Sequence, residues 1–355
     1  MTHAIVPPYL LARIASVQDP ELQKAANAAR ATLEIPRDYR PGRSRLRLSI
    51  EDGDTLVVET TPAPDREISD AQNRETLPGR RVRGEDDPPT GDASVDEAFD
   101  GLGATFDFYW DAFGRNSINA AGEPMLATVH YGKDYDNAFW NGERMVFGDG
   151  DGDIFRGFTE SLTVIAHELS HGVVEDAGGL DYQGQSGALN ESIADVFGVL
   201  AEQHHRGQTA DEATWLVGEG IFTEAVQGSA LRSLAAPGTA YDDDVLGKDP
   251  QPAHMSGYVV TNDDNGGVHI NSGIPNHAFY LVAKALGGNA WERAGLIWYR
   301  TLMAGLPSDA DFETFANATL AAARAEYGED SKEADAVRTA WTDVGVLKDE
   351  PTARG

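Results

Sequence analysis

Two histidines stand four residues apart in the segment His167-Glu168-Leu169-Ser170-His171, and a glutamate directly follows the first of them. On a helix, residues four apart lie on nearly the same side, about 6 Å apart along the axis, so both rings can bind one metal ion. Glu168 lies on an adjacent edge, within reach of a metal-bound water without being a ligand itself. This arrangement suits zinc-dependent activation of water, with Glu168 as the general base.

The residues around this motif must form the helix that holds it. Apolar side chains recur at helical spacing at Val164, Ile165, Leu169, Val173 and Val174. Gly178-Gly179 ends the pattern, and Thr159 or Ser161 can cap its start. The alternative is a surface helix with two incidental histidines. We disfavour it because a buried imidazole pair flanking a glutamate is hard to keep without a metal.

Glu191 is the expected third metal ligand, since a catalytic zinc takes three protein ligands and keeps a fourth position for water. Residues 188–203 carry apolar side chains at helical spacing, which predicts a second buried helix. On it Glu191 and Asp195 are four apart and share a face. Asp195 is therefore expected to hold the free ring nitrogen of His167. A solvated helix face is the alternative, and the apolar neighbours argue against it.

The pairing of this histidine motif with Asn190-Glu191-Ser192-Ile193-Ala194-Asp195 resembles the thermolysin family of zinc endopeptidases. The resemblance runs from about residue 66 to 347. It includes four further segments in family order: residues 101–109, 137–142, 264–273 and 340–346. A match over so many separate segments is far more specific than the histidine motif alone.

The resemblance implies roles for residues outside the two helices. His269 would donate a hydrogen bond to the oxyanion of the tetrahedral intermediate, with Asp264 orienting its ring, and Tyr182 would donate to the same oxyanion. Asn137 and the backbone of Ala138 would pair with the substrate main chain, as an added strand does. Singly, these would be a turn histidine and a core tyrosine. Their positions along the chain relative to the zinc motif match the family, which favours the catalytic roles.

The resemblance also describes the substrate side beyond the cut. Arg232 matches an arginine that binds the substrate carbonyl after the cleavage point. An apolar pocket for the residue after the cut would be lined by Phe155, Val164, Ile221 and Leu231. We expect hydrolysis on the N-terminal side of Leu, Phe or Ile. The alternative is that these four residues are ordinary members of the hydrophobic core.

The first fifty residues differ from the rest in charge. They carry eight Lys and Arg against four Asp and Glu, whereas the remaining chain carries 20 against 54. Much of the positive charge lies in a tract formed by Arg37, Arg40, Arg43, Arg45 and Arg47. Opposite charge on two parts of one chain favours docking of one on the other.

Pro7, Pro8 and Tyr9, with the leucines that follow, resemble the short propeptide of the protealysin-like branch of this family. There the Pro-Pro segment plugs the active-site cleft, and a proline-fixed strand resists productive placement of its own bonds. Relatives in this branch often carry a cysteine just before the motif. Here Thr2-His3-Ala4 stands in that place and the chain has no cysteine, which excludes a thiolate on the metal. We expect His3 to be a free N-terminal histidine rather than a zinc ligand.

We therefore expect an α+β, thermolysin-like two-lobed metalloprotease, with a β-rich N-terminal lobe, an α-helical C-terminal lobe and the zinc helix between them. Residues 1–65 would be the inhibitory propeptide and linker, with cleavage between Arg40 and Arg66. Residues 66–187 would be the N-terminal lobe, starting with a strand at 66–73. Residues 188–355 would be the C-terminal lobe. Helices are expected at 106–113, 275–286 and 291–303.

The resemblance implies that the family's double calcium site is depleted in this chain. Two of its carboxylates match Glu202 and Glu219, but Thr163 and Leu216 stand where acids are expected. The acidic run at 149–153 suggests a calcium loop, although its position favours a tight strand connection. We expect one catalytic zinc and leave calcium open.

Composition limits the remaining possibilities. The net charge of −30 argues against nucleic acid and anionic membranes as partners. The sequence has no apolar run of membrane-spanning length, and its N-terminus lacks the features of a Sec signal peptide. We expect a monomer that acts on protein or peptide substrates and binds its own propeptide in cis. An extracellular location by a leaderless route is favoured, with a cytoplasmic one as the alternative.

Two rival functions are also compatible with the sequence. A latent zinc protein, kept closed by its own propeptide, could serve as an inhibitor or interaction module. The presence of both Glu168 and His269 argues against it, because a non-catalytic protein has no chemical need for them. A narrow processing peptidase shares the chemistry and differs only in substrate.

Overall fold

The computed structural model describes residues 3–35, 49–51, 55–57 and 62–348, with the backbone alone for 49–51 and 55–57. The arginine tract at 37–47 lies outside the described residues. So does most of the segment in which we expect maturation cleavage.

The principal sheet combines strands from the catalytic region with one from the N-terminal segment. The described residues form the strands β1 (His3–Ala4), β2 (Ser49–Glu51), β3 (Thr55–Val57), β4 (Arg66–Arg74), β5 (Arg80–Gly84), β6 (Met125–Tyr131), β7 (Ala138–Trp140), β8 (Met145–Phe147), β9 (Leu216–Val217), β10 (Arg232–Ser233), β11 (Asp242–Asp243) and β12 (Gly247–Lys248). Six of them form one sheet in the order β1-β7-β8-β6-β4-β5. Strand β6 is parallel to β4 and β8, and the other neighbours are antiparallel. The remaining strands form two-stranded ribbons.

Helices dominate the second half of the chain. The described helices are α1 (Pro8–Ala15), α2 (Gln23–Glu34), α3 (Ala93–Phe113), α4 (Leu162–Asp176), α5 (Gly184–Arg206), α6 (Asp264–Asn271), α7 (Gly273–Leu286), α8 (Leu296–Met303), α9 (Phe312–Tyr327) and α10 (Lys332–Asp343). A single π-helical turn at Trp291–Gly295 leads into α8. Among these described helices, none has both the length and the apolar character of a membrane span.

The expected α+β, two-lobed fold is confirmed, with a β-rich first lobe and a helical second lobe. The strand expected at 66–73 is β4, and the helix expected at 275–286 is α7. Helix α3 begins thirteen residues before the expected start at 106, because Asp92 caps it by accepting a hydrogen bond from the Val95 amide.

Helix α4 lies between the lobes. It contacts β7 and β8 on one side and runs along α5 on another, so that residues 163–174 are all buried. The two helices approach closely at Gly198, where a Cβ atom would lie only 2.8 Å from the carbonyl oxygen of Thr163. Glycine at this position lets the carboxylates of α5 face the histidines of α4.

The acidic run after β8 is a tight connection, as its position suggested. The Asp151 carboxylate accepts hydrogen bonds from the amides of Asp153, Ile154 and Phe155 at 2.7–3.1 Å. These bonds stabilise the turn that carries Phe155 towards the helices.

His130 fastens the end of β6 to this turn. Its Nδ1 lies 2.9 Å from Asp149, and its Nε2 lies 3.2 Å from Asp92. The hydrogen bond to Asp149 and the two carboxylate charges raise the pKa of His130 to about 9, although burial opposes them. The imidazolium therefore stabilises the folded chain below the unfolded pKa of about 6.5, and this contribution is lost as the pH rises through about 9.

We expect His130→Gln to lower the melting temperature at pH 6 by a few degrees and to have little effect at pH 10. Thermal unfolding followed by circular dichroism at pH 6, 8 and 10 measures this. His205→Gln, at the exposed end of α5, is the matched control. An equal loss from His130→Gln at both pH values would contradict the ionic explanation.

Candidate active site

The metal-binding atoms expected from the sequence converge in the structure. Nε2 of His167 lies 3.0 Å from Nε2 of His171. Glu191 on α5 completes the group, with carboxylate oxygens 3.5 Å and 3.6 Å from the two ring nitrogens. Donors that surround one zinc tetrahedrally at 2.0–2.1 Å are about 3.4 Å apart. Oε2 of Glu191 is buried and accepts no hydrogen bond from the described residues, although Nε2 of His269 lies 3.3 Å away, and a bound cation would satisfy this oxygen. The donor set therefore fits zinc.

The Nδ1 atom of each histidine ring lies close to a polar side chain of α5. Nδ1 of His167 lies 2.9 Å from Asp195, as expected, and Nδ1 of His171 lies 2.8 Å from the amide oxygen of Asn190. A proton on each Nδ1 leaves the Nε2 lone pairs free for a metal. The sequence reasoning missed Asn190, although its position next to Glu191 was a usable signal.

Asp195 also carries a buried ion pair with Arg232. Both side chains are almost completely buried, and the guanidinium donates two hydrogen bonds of 2.8 Å to the carboxylate. Asn276 on α7 donates a third at 2.9 Å. Burial by itself raises the pKa of Asp195, but the charge and the hydrogen bonds of Arg232 hold that pKa well below its usual value. Asp195 is therefore ionised when it contacts His167.

His269 and Tyr182 both lie against Glu191, with Nε2 of His269 3.3 Å from Oε2 of Glu191. Asp264 binds the backbone amide of His269 at 2.9 Å and its Nδ1 at 2.6 Å. The intervening turn of α6 has left-handed backbone angles at Asn265, Gly266 and Gly267, and two of these three residues are glycines, which adopt them without strain. Burial lowers the pKa of His269, but Glu191 and Asp264 more than offset this and raise it to about 9.

The Tyr182 hydroxyl donates to Glu191 and lies 3.4 Å from Nε2 of His269. Burial, followed by the charges of Glu191, Asp264 and Glu168, holds the pKa of Tyr182 well above 10. Tyr182 is thus a hydrogen-bond donor at neutral pH. Glu168 is completely buried on α4.

Comparison with known proteins identifies this arrangement. Residues 44–175 match the family model described as "Thermolysin metallopeptidase, catalytic domain", and residues 178–346 match "Thermolysin metallopeptidase, alpha-helical domain". The chain is 49% identical to the Extracellular metalloprotease of Pectobacterium carotovorum subsp. carotovorum, covering 97% of this chain and 96% of that protein. The chain belongs to the thermolysin family of metallopeptidases. Its catalytic metal is accordingly zinc.

Two further relatives place the chain within the thermolysin family. Protease PrtS of Photorhabdus sp. (strain Az29) is 51% identical over 306 residues, which cover 85% of this chain and 81% of that protein. The solved structure of the precursor of protealysin, a metalloproteinase from Serratia proteamaculans, superimposes with a TM-score of 0.86 at 50% identity. It covers 97% of this chain and 100% of its own. These similarities support the protealysin-like branch.

The N-terminal segment lies against the residues expected to bind substrate. Strand β1 pairs antiparallel with β7, His3 opposite Trp140 and Ala4 opposite Phe139. The Ile5 amide donates to the Ala138 carbonyl at 3.1 Å, and the pairing makes β7 an inner strand.

The expectation that Pro7, Pro8 and Tyr9 plug the active-site cleft needs a correction. The residues that bind the active site are Ala4, Ile5 and Val6, whereas Pro8 and Tyr9 begin helix α1, with Pro7 at its N-cap. The first backbone N–H groups of a helix have no acceptor within the helix, so a proline there loses no hydrogen bond. The Pro-Pro pair therefore starts a helix and does not extend the strand.

The expectation that His3 is a free terminal histidine is wrong. Its ring stacks on that of His171, with centroids 4.3 Å apart, and meets Tyr182 edge-on at 4.3 Å. Burial lowers the pKa of His3 to about 3. The reason is the pairing of β1 with β7, which fixes the backbone of residue 3 beside the zinc helix.

The four residues expected to line the specificity pocket are all buried in one hydrophobic cluster: Phe155, Val164, Ile221 and Leu231. Ile5 and Val6 belong to the same core, which extends through both lobes from α1 to α10.

Near the family's double calcium site, protein groups bind one another. The Arg206 guanidinium lies 2.9 Å from the Glu202 carboxylate. The Thr163 hydroxyl accepts a hydrogen bond of 2.8 Å from the Gly218 amide. Glu219 accepts from Thr214. The depletion expected from the sequence stays a prediction.

Removal of the Asp195 charge is expected to weaken zinc binding. We predict that Asp195→Asn reduces zinc affinity about 10- to 100-fold, because the amide no longer polarises the His167 ring. Competition with a fluorescent zinc chelator measures this. Asp111→Asn, an exposed carboxylate on α3, is the control. Unchanged affinity in Asp195→Asn would show that the contact with His167 does not tune the metal.

Proposed function

We propose that this chain is the precursor of an extracellular zinc endopeptidase, in which residues 1–65 comprise an inhibitory propeptide and a linker. Residues 66–187 and 188–355 would be the two catalytic lobes. The observation that carries the proposal is the binding of residues 4–6 by the very groups expected to bind substrate. The name of the Pectobacterium relative supports the extracellular location.

Residues 4–6 are bound through their backbone, with the hydrogen bonds expected for an extended peptide substrate. Arg232 donates to the Ile5 carbonyl at 2.9 Å. Asn137 accepts from the Val6 amide at 2.9 Å and donates to the Val6 carbonyl at 3.1 Å. His269 contacts the Ala4 carbonyl oxygen at 2.9 Å through Nε2. The Ala4–Ile5 peptide bond therefore takes the place of the bond to be cut.

This placement supports the proposed cleavage preference. Ile5 follows the bond that occupies the cleavage position, and it is a fully buried apolar residue, as are Phe155, Val164, Ile221 and Leu231. A substrate with Leu, Phe or Ile at this position would bury its side chain similarly, and full burial of such a side chain contributes about 1.5–3 kcal/mol. We propose hydrolysis on the N-terminal side of these residues.

Three protein ligands, His167, His171 and Glu191, would hold the metal. Bound zinc supplies a Lewis acid that polarises the peptide carbonyl and lowers the pKa of water. Glu168 accepts a proton from the attacking water and later delivers it to the departing amine as the C–N bond breaks. These steps need no covalent acyl-enzyme.

His269 and Tyr182 would donate hydrogen bonds to the oxygen that becomes negative when water adds to the carbonyl carbon. His269 already contacts the corresponding oxygen of Ala4, and both donors are buried, where such bonds are strongest. Asp264 orients the His269 ring through Nδ1. Asn137, Ala138 and Arg232 position the peptide so that its carbonyl faces these groups.

The test is incubation of the purified full-length protein with zinc and casein, alongside Glu168→Ala. Mass spectrometry follows the N-terminus, and sequencing of the casein fragments gives the cleavage sites. We expect the wild type to lose its first 40–66 residues and to produce fragments that begin with Leu, Phe or Ile, while the variant stays intact and inactive.

The contrary outcome is a wild type that binds zinc but hydrolyses nothing, even after trypsin removes the N-terminal segment. That result would favour the latent zinc-binding protein. Fragments that begin with charged residues would reject the proposed preference while leaving the peptidase activity in place.

A further inference from the structure

The His3 ring lies beside two of the residues expected to bind zinc, His171 and Glu191. Ring nitrogens of His3 and His171 and a carboxylate oxygen of Glu191 all lie within 4.8 Å of one another. The His3 ring stacks on the His171 ring with an interplanar angle of 27°. It therefore stands directly beside a ligand that the zinc site needs.

The polar atoms of this ring are incompletely satisfied. Nδ1 of His3 is buried and has no hydrogen-bond partner among the described residues. An unpaired polar atom in a buried site costs free energy, and native structures almost always satisfy such atoms. A zinc ion bound by His171 and Glu191 would give the His3 ring the partner it lacks.

We infer that His3 is a fourth ligand of the catalytic zinc in the precursor, in the coordination position that water occupies in the mature enzyme. The inference rests on the proposed function. Zinc with four protein ligands is characteristic of structural sites, whereas catalytic sites keep one position open. His3 would thus convert a catalytic site into a closed one for as long as the N-terminal segment stays bound.

This coordination would protect the peptide bond that occupies the cleavage position. Ala4–Ile5 is held by Arg232 and His269 as a substrate bond would be, and its hydrolysis needs water on the zinc. With His3 on the metal, no water is positioned for attack. Once the ring is removed, water can add its oxygen to the Ala4 carbonyl carbon and its protons to the Ile5 nitrogen and the solvent. The products are residues 1–4 and a chain that begins at Ile5.

The first experiment uses the full-length Glu168→Ala precursor, which cannot process itself, loaded with cobalt(II) in place of zinc. His3→Phe in this background keeps an aromatic ring to stack on His171 and removes the donor nitrogens. We expect added azide to leave the visible spectrum of the protein with His3 unchanged. The same addition should alter the spectrum of His3→Phe. Zinc loss to a chelator should be at least about tenfold faster in His3→Phe.

A second variant provides a positive signal and guards against misfolding of the first. His3→Cys offers a thiolate to the same position, so a sulfur-to-cobalt charge-transfer band is expected. Superimposable spectra and azide responses for His3 and His3→Phe, together with no such band in folded His3→Cys, would overturn the inference.

The same substitution in the active background tests the consequence. With Glu168 intact, His3→Phe is expected to cut Ala4–Ile5, which mass spectrometry detects as a chain that begins at Ile5, while the wild type keeps this bond. If the mature enzyme hydrolyses casein but the cobalt spectra superimpose, the inference about His3 fails and the proposed function stands. If the spectra differ but no form hydrolyses casein, the proposed function fails and the His3 ligand stands.

Discussion

Glu168→Gln is expected to lower the kcat/KM of the mature enzyme for casein-derived peptides about 10²- to 10⁴-fold, without a loss of bound zinc. Glutamine has the size and hydrogen-bonding capacity of glutamate but cannot accept a proton at neutral pH. The ligand atoms of His167, His171 and Glu191 converge without a contribution from Glu168. The substitution should therefore remove the base and leave the metal in place.

Two measurements on the same sample separate these effects. Peptide hydrolysis gives kcat/KM, and elemental analysis after gel filtration gives the zinc content. Glu160→Gln is a suitable control, since Glu160 lies just before α4, is exposed and accepts a hydrogen bond from the Gly157 amide. A variant that loses zinc along with activity would assign Glu168 to metal binding. A loss smaller than tenfold would mean that another group takes the proton.

The zinc centre could be predicted from the sequence because its geometry is local. His167 and His171, like Glu191 and Asp195, are four residues apart, and the helical period alone places each pair on one face. The structure brings the two faces together as expected. Only the docking of α5 on α4 had to come from tertiary packing, and the family resemblance supplied it.

The parts that escaped prediction depend on contacts between distant segments. His3 reaches the site because β1 adds to β7, a pairing across more than 130 residues that leaves no local pattern. Asn276 holds Asp195 across 81 residues, again without a sequence signal. The start of α1 is a different case, since Leu10, Leu11 and Ile14 at helical spacing after Pro8 did indicate a helix. The sequence prediction rested on the resemblance to a proline plug and did not use this spacing.

Arg232→Leu is expected to destabilise the folded chain by about 3–5 kcal/mol, the usual cost of leaving one member of a buried ion pair without its partner. Arg232 is 1% exposed and Asp195 is fully buried, so solvent cannot screen the carboxylate that remains. Burial then raises the pKa of Asp195 with no guanidinium to oppose it. The hydrogen bond from Arg232 to the Ile5 carbonyl is lost as well, which weakens the hold on the N-terminal segment.

Thermal unfolding of the precursor measures the loss, and a double-mutant cycle assigns it. Adding Asp195→Asn to Arg232→Leu removes the unpaired charge, so the double variant should be less destabilised than the sum of the two single variants. Arg300→Leu is the control, because Arg300 is largely exposed and lies 3.8 Å from Glu326, and loss of such a pair costs about 0–1 kcal/mol. Additive effects in the cycle would mean that Arg232 acts through packing rather than through Asp195. A non-additive result would instead mean that Arg232 stabilises the fold through Asp195, the carboxylate that orients His167. The stability of the chain and its zinc affinity would then both depend on this one buried ion pair.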